Sequence, residues 1–310
     1  MYQENVKIYD EYLKSNKARN YETFETTYKM YKSRINDFFN YLKENENDIM
    51  IISEKMIKDC VNILERYISD CRDRGNNNQT INNKITAISS FYIWCVKRNI
   101  IEYHPFQTKL DRLKKSEQTK RRESYFLSTQ EIIEAKVMMK YENFKMDERL
   151  MWELFLDCGA RISAIQSIKV GQIDFNSGII KGVKEKYGKI VDLMFFENTS
   201  KILKDYIYMN NIKNEDYLFF SNRNKKAPMT QSTIRAKIKK IGLLIGYDKL
   251  YPHTLRKTAI NLLYNMGGIE LAAEYANHND SKTTKDHYIK NKTTEENRDS
   301  IHKLKKSYGL

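Results

Sequence analysis

Proline is nearly absent from this chain, and its absence is the strongest constraint on what the chain can fold into. There are three prolines among 310 residues, so helices can run almost anywhere without losing a backbone donor. Apolar residues recur at helical spacing from Tyr28 to Leu42 and again from Ile81 to Cys95, which is typical of helices that pack one face into a core. We therefore expect residues 1–103 to be helical, with Thr80 as the N-cap of the later helix.

The spacing of apolar residues changes in the second half of the chain. Ser128 or Thr129 followed by Glu131 predicts a helix start. Alternating apolar residues between 173 and 195 predict a small antiparallel sheet, and the pattern is helical again from residue 200 onward. The expected fold class is therefore mainly α with a small antiparallel β-sheet: a helical N-terminal domain followed by an α+β domain.

A strongly basic strip separates the two halves. His104-Pro105 ends the helical half, and residues 109–122 then hold seven basic residues against two acids, a net charge of +5. We expect an N-terminal domain over 1–108, a linker over 109–125 and a second domain over 126–310. The strip is interpreted as lying along a nucleic-acid backbone, with a plain solvated linker as the alternative. The predicted DNA-contacting residues are Lys84, Lys97, Arg98, Lys114, Lys115, Lys120, Arg121 and Arg122.

The charge balance of the whole chain favours a polyanionic partner. Its formal net charge is +14, which makes nucleic acid the first candidate and solubility alone the alternative. The four cysteines form no Cys-x-x-Cys pair and are interpreted as reduced, mostly buried thiols of a cytoplasmic protein. No apolar signal region, membrane span or metal-site spacing is present in the sequence.

A short series of residues near the C-terminus indicates a reaction. His253-x-x-Arg256, then His278 and Tyr288, follow an upstream Arg161. Arginine forks bind two oxygens of one phosphate and stay charged. A tyrosine hydroxyl becomes a nucleophile where nearby cations favour its anion. The set suits attack on a phosphodiester through a covalent tyrosine, with no cofactor and no metal.

The ordered series resembles the tyrosine recombinase (phage integrase) family. Cys158-Gly-Ala-Arg161 matches its first-arginine box, Pro252-His253-Thr-Leu-Arg256 its His-x-x-Arg box, and His278 and Tyr288 its second histidine and nucleophile. The resemblance covers about residues 126–292, and the N-terminal half is similar to the family's helical, SAM-like core-binding domain. Trp152 and Tyr251 are expected to pack in the core.

This resemblance implies a role for each residue. Tyr288 attacks the scissile phosphate and stays linked to its 3′ side, while Arg161 and Arg256 hold the non-bridging oxygens. The family's lysine lies on a β-turn at Lys184 or, alternatively, Lys186, and protonates the departing 5′ hydroxyl. His253 takes the tyrosine proton, and His278 donates a hydrogen bond to the phosphate.

The resemblance also implies an assembly on DNA. The family acts on double-stranded DNA as a tetramer on two sites, which implies a homo-oligomer on DNA, a monomer in free solution and a location at the bacterial nucleoid. Residues 293–308 have the pattern of a helix that docks on a neighbouring copy.

Three departures from the family pattern keep other functions open. The family carries an acid at the position of Ala164, a glycine at Asn277 and frequently a histidine at Lys257. They favour, as the alternative to a site-specific recombinase, a recombinase-fold repressor or architectural protein that binds DNA without cutting it. A type IB topoisomerase shares the chemistry but fits the separate helical half less well.

Overall fold

The computed structural model of the chain describes residues 2–19, 24–114, 125–142, 144–185 and 188–276. The chain divides into two compact units, Met1–Glu123 and Ser124–Leu310. The described ranges are mostly helical with small antiparallel sheets, which confirms the expected fold class. The domain boundaries and the linker stay predictions, because residues 115–124 lie outside these ranges. None of the helices within them is long and apolar enough to span a membrane.

The first unit is built from helices, as its apolar spacing predicts. They are α1 Tyr2–Arg19, α2 Phe24–Asn45, α3 Glu54–Lys58, α4 Cys60–Asp73 and α5 Asn78–Lys97. The apolar stripes of α2 and α5 meet in one core, where Phe38, Phe91 and Tyr92 are fully buried. Burial of large apolar side chains is the main favourable term in folding, and it holds these helices together.

The N-cap of α5 is Asn77, so the expectation of Thr80 is wrong. The side-chain oxygen of Asn77 accepts a hydrogen bond from the backbone N–H of Thr80 at 2.8 Å. Asparagine caps a helix at least as well as threonine. The helix therefore begins three residues before the expected start.

Two asparagines of α5 hold residues 113 and 114 of the basic strip. Asn82 donates to the Leu113 carbonyl at 2.9 Å and accepts from the Leu113 N–H at 3.0 Å. Asn78 donates to the Lys114 carbonyl at 2.8 Å. A side-chain amide has both a donor and an acceptor, so Asn82 can pair with both backbone groups of one residue. Residues 113 and 114 are thereby fixed against α5, while the Lys114 side chain stays exposed.

Asp37 of α2 ties three helices together through charge. Its carboxylate accepts from Arg74 at 2.7 Å, from Lys84 of α5 at 2.8 Å and from the Tyr67 hydroxyl of α4 at 2.5 Å. Burial by itself would raise the pKa of Asp37, but these hydrogen bonds outweigh it and hold that pKa well below its usual value. The ionised carboxylate is therefore the form that stabilises the unit.

Lys84, one of the predicted DNA contacts, is engaged within the unit. Its side chain is 11% exposed and its ammonium is paired with Asp37, and its contact with DNA stays a prediction. Lys97 and Arg98, at the end of α5, are exposed, and Arg98 also lies over the Trp94 ring. These two residues stay predictions.

The second unit packs helices and short strands around its own core. Its helices are α6 Thr129–Tyr141, α7 Met146–Cys158, α8 Ile162–Ser167, α9 Glu197–Met209, α10 Gln231–Leu244 and α11 Pro252–Tyr275. Its strands are β1 Ile173–Asp174, β2 Ile179–Lys184, β3 Ile190–Met194, β4 Phe220–Ser221 and β5 Asn224–Pro228. Ser128 caps α6 in a capping box with Glu131, as expected, and Trp152 of α7 is fully buried, also as expected.

The strands form two separate antiparallel sheets. β1, β2 and β3 pair in chain order, and alternate residues of β3, Val191 and Leu193, are buried, which confirms the predicted small sheet. The β4–β5 hairpin was not expected, since the sequence indicated helix from residue 200 onward. Its strands are short and polar, and the sequence Asn-Lys-Lys that opens β5 carries no apolar alternation.

Replacing Asp37 with Asn should lower the free energy of unfolding of the first unit by about 2 to 4 kcal/mol at pH 7, because Lys84 then lacks its counter-charge and Arg74 is left with Asp70. The folded pKa lies below the unfolded value of about 3.9. The carboxylate's contribution is therefore complete above that value and is lost as the pH falls towards the folded pKa. Urea unfolding at pH 7 and pH 3 should show the gap between wild type and variant narrowing in acid.

Glu54→Gln is the matched control, because Glu54 is exposed and pairs with the exposed Lys58 one turn away. It should change stability by less than about 0.5 kcal/mol. Equal losses in the two variants, or a gap that does not narrow at pH 3, would contradict the role given to Asp37.

Candidate active site

The turn between α7 and α8 carries the first predicted arginine. α7 ends at Gly159, whose φ of +52° is left-handed and whose N–H donates to the Phe155 carbonyl at 3.1 Å. A left-handed residue at this point is usually glycine, because a side chain there is strained. Arg161 follows in an extended conformation and is the N-cap of α8. The backbone turn therefore sets where the Arg161 side chain begins.

The second predicted arginine is buried between two chain segments. Arg256 of α11 is 2% exposed. Its Nη1 donates to the Gly159 carbonyl at 2.5 Å and its Nη2 to the Ala276 carbonyl at 2.8 Å. The contact to Gly159 joins Arg256 to the turn that carries Arg161, and the contact to Ala276 joins it to the residue two before His278.

Tyr275 packs at the same turn. Its ring lies so close to Gly159 that a Cβ on that residue would be 2.5 Å from Tyr275 Cε1. The hydroxyl lies 2.5 Å from the Asp157 carbonyl and 3.1 Å from the Leu156 carbonyl. Burial raises the pKa of Tyr275 well above its usual value, so the hydroxyl stays protonated and donates. The end of α11 is thereby fixed to the end of α7.

His253 lies in the first turn of α11. It is exposed, and Arg256 follows one turn later on the same side of the helix. Pro252 occupies the first helical position, where its missing N–H costs nothing. Tyr251 is 46% exposed, so the expectation that it packs in the core is wrong. The N-cap position that it holds lies outside the buried face of the helix.

Lys184 is the last residue of β2 and is exposed. Its backbone carbonyl accepts a hydrogen bond from Ser167 Oγ at 2.5 Å, and Ser167 is the last residue of α8. The turn that carries Lys184 is therefore attached to the short helix that begins at Arg161. The alternative lysine, Lys186, lies outside the described residues.

The acid next to Lys184 pairs with the first arginine. Glu185 Oε2 is in contact with Arg161 Nη1, and the Glu185 side chain is 3% exposed. Sequence reasoning missed this residue, although Glu185 is the single acid in the lysine-rich segment 181–189. Ala164, at the position where the family pattern has an acid, is fully buried.

The structure describes part of the predicted set of site residues. Arg161, Lys184, His253 and Arg256 lie in the described ranges, and the hydrogen bond from the Arg256 side chain to the Gly159 carbonyl joins the segments that carry the two arginines. Within those ranges, no group of three or more His, Cys, Asp or Glu is placed to hold a metal ion. The remaining predicted residues lie outside the described ranges; they are His278, Tyr288, Lys115, Lys120, Arg121 and Arg122, together with the C-terminal helix predicted at 293–308.

Comparison with known proteins identifies matches along most of the chain. The model of the phage integrase family matches residues 126–295, which is more than half of the chain. The model of the family's N-terminal SAM-like domain matches residues 6–99.

Individual related proteins also match most of the chain. The tyrosine recombinase XerC of Thermodesulfovibrio yellowstonii is 24% identical over 269 residues, which are 83% of this chain and 83% of that protein. The tyrosine recombinase XerC of Chlamydia caviae is 28% identical over 231 residues, 70% of each chain. Among solved structures, the XerH site-specific recombinase bound to palindromic difH substrate has a TM-score of 0.66 at 18% identity, over 91% of this chain and 79% of that one. At this identity the structural likeness shows the shared fold.

Replacing Gly159 with Ala should destabilise the second unit by about 3 kcal/mol, because it adds left-handed strain and a clash with the Tyr275 ring. Gly246→Ala is the matched control: its φ is +78°, but a Cβ there would meet nothing within 4 Å. It should cost about 1 kcal/mol, from backbone strain alone. Urea unfolding of both variants measures the difference, and equal losses would contradict the close packing of Tyr275 on Gly159.

Proposed function

The chain belongs to the phage integrase family, and from that premise we propose that it is a site-specific recombinase that cleaves and rejoins double-stranded DNA through a 3′-phosphotyrosine. One observation carries the proposal furthest. The buried Arg256 donates to Gly159, two residues before Arg161, and to Ala276, two residues before His278. A single guanidinium thus binds both the turn that precedes Arg161 and the C-terminal end of α11.

In this proposal the two arginines bind the phosphate and the tyrosine cuts it. Arg161 and Arg256 bind the non-bridging oxygens and stabilise the charge that develops there. Tyr288 Oη forms a bond to phosphorus as the bond from phosphorus to the 5′ oxygen breaks. The phosphodiester with Tyr288 keeps the bond energy, so a 5′ hydroxyl of a partner strand can later attack it and release the tyrosine.

The remaining residues transfer protons. Lys184 gives a proton to the departing 5′ oxygen, which would otherwise leave as a strongly basic alkoxide. His253 takes the proton of the Tyr288 hydroxyl, and His278 donates a hydrogen bond to the phosphate. The exposure of Lys184 and His253 supports these roles, because both groups must reach a substrate that comes from solution.

The proposed substrate is double-stranded DNA, held by a homo-oligomer on paired sites. The net charge of +14 supports a polyanionic partner, and so do the exposed Lys97, Arg98 and Lys114. The related XerH structure is a complex with its difH substrate. In this proposal the basic strip 109–122, of which residues 113 and 114 are held against α5, contacts the phosphate backbone.

A second candidate function is a repressor or architectural protein that binds DNA without cutting it. The buried Ala164 favours it, since α8 offers no carboxylate at that position. The complete series of catalytic residue types, including Tyr288, favours the recombinase.

Tyr288→Phe should abolish covalent attachment of the protein to DNA and leave DNA affinity within about twofold, because only the nucleophilic oxygen is removed. The measurement mixes the protein with fragmented DNA of its source genome, denatures it and isolates DNA that stays attached to protein. Tyr208→Phe, an exposed tyrosine of α9, should attach DNA as the wild type does. Attachment in the Tyr288 variant would overturn the mechanism. Tight binding to a few fragments without attachment in the wild type would favour the repressor.

Lys184→Ala should slow cleavage by roughly 10² to 10⁴-fold, the range for loss of a general acid. The substrate is a duplex of the trapped sequence. The same duplex with sulfur in place of the scissile 5′ oxygen should restore most of the rate, because a thiolate leaves without a proton. Lys181→Ala, which removes an exposed lysine paired with Asp174, should cleave both substrates normally. If Lys186→Ala shows the loss and the sulfur rescue instead, the role belongs to Lys186.

A further inference from the structure

Glu185 is a buried acid between two of the proposed catalytic residues. Its side chain is 3% exposed, although the residue directly follows the exposed Lys184. A carboxylate withdrawn from water to this extent is unfavourable unless a cation meets it. Arg161 supplies the cation, through the contact between its Nη1 and Glu185 Oε2.

The contact covers one side of the Arg161 guanidinium. The Arg161 side chain is 35% exposed, so part of it remains open to an anion from solution. A guanidinium carries five N–H donors in a planar fork, and Glu185 engages one of its nitrogens. Glu185 can therefore hold the inner edge of the fork while the outer edge binds a phosphate.

The turn after β2 is attached to α8 at a second point. Ser167 Oγ donates to the Lys184 carbonyl at 2.5 Å, and the Glu185 N–H donates to the Lys189 carbonyl at 2.7 Å, which closes the turn. Arg161 and Ser167 stand at opposite ends of α8. The helix is thus joined to the Lys184 turn at both ends, by Glu185 at one and by Ser167 at the other.

No carboxylate on α8 itself can pair with Arg161. Ala164 lies one turn after Arg161, is fully buried, and carries a methyl group that cannot accept a hydrogen bond. The acid reaches Arg161 from the β2–β3 turn instead.

We propose that Glu185 is a positioning residue for strand cleavage, which orients Arg161 and sets its place relative to the Lys184 turn. The inference rests on the proposed recombinase function. An arginine side chain loses rotamer entropy when it is held in one position, and ordering it before DNA arrives removes part of that cost from the reaction. In the opposite role, Glu185 would act as a lock that competes with the phosphate for Arg161. Removing the acid would then speed the reaction or tighten DNA binding.

The test compares Glu185→Gln, Glu185→Asp and wild type on a nicked duplex of the sequence recovered by covalent trapping. Glu185→Gln should lower the rate of covalent attachment by roughly tenfold to a hundredfold, the cost of a small misplacement of a catalytic group. Its dissociation constant for the uncut duplex should stay within about threefold. Glu185→Asp, which keeps the charge on a shorter side chain, should recover part of the rate.

Asp192→Asn is the matched control. It removes one negative charge from the same hairpin, where Asp192 accepts from the Gly182 N–H, and it should leave the rate and the affinity unchanged. A loss of equal size in this variant would show that charge in the hairpin, and not the contact with Arg161, controls the rate. A faster reaction or tighter binding in Glu185→Gln would establish the lock and overturn the positioning role.

A second measurement does not depend on cleavage. In protein labelled with ¹⁵N-arginine, the side-chain NMR signal of Arg161, assigned by its loss in Arg161→Lys, should move and lose protection from solvent exchange in Glu185→Gln but not in Asp192→Asn. An unchanged signal would overturn the pairing itself. If the signal moves and the wild type attaches no DNA, the proposed function has failed and the positioning role fails with it. If the wild type attaches DNA and Glu185→Gln does so at the same rate, only the positioning role has failed.

Discussion

The buried guanidinium of Arg256 is the interaction on which the arrangement of the second unit depends. The two carbonyls that it binds belong to Gly159 and Ala276, which are the C-cap residues of α7 and α11. Helix C-termini carry unsatisfied carbonyls and a partial negative charge, and both attract a cation. A single arginine therefore caps the C-termini of two helices and holds their ends together. Its structural role and its proposed catalytic role reside in one group, because the guanidinium that we propose to bind phosphate also holds the neighbouring segments.

Two acids with little exposure organise the charge of this basic chain. Asp37 in the first unit is 26% exposed and pairs with Arg74 and Lys84, and Glu185 in the second is 3% exposed and pairs with Arg161. In the first unit this takes Lys84 away from the surface. In the second it holds Arg161 where part of the side chain stays accessible. The same kind of interaction thus pairs one cation of the predicted DNA-contacting set within its own unit and, in our proposal, orients another for its role.

The sequence predicted what depends on local pattern and missed what depends on pairing across the chain. Helices, the Ser128 capping box and the β2–β3 hairpin follow from spacing along a few residues, and all three are confirmed. The contact between Arg161 and Glu185 spans 24 residues and the one between Asp37 and Lys84 spans 47. The spacing of residues along a helix or strand does not reveal a partner so far away in the sequence. Arg161 and Lys84 were therefore interpreted from their sequence neighbours alone. The β4–β5 hairpin was missed because its short strands are polar.

Cys158 is buried at the end of α7, beside the turn that leads to Arg161, and its thiol can report whether that turn is packed. Its Sγ lies 2.7 Å from the Leu154 carbonyl, and burial raises the pKa of the thiol to about 12. Only the thiolate reacts quickly with alkylating reagents, so the group is inert while the turn stays packed. The other three cysteines, Cys60, Cys71 and Cys95, lie in the first unit. The rate at which the second unit takes up a thiol label therefore measures how often the arginine-bearing turn opens.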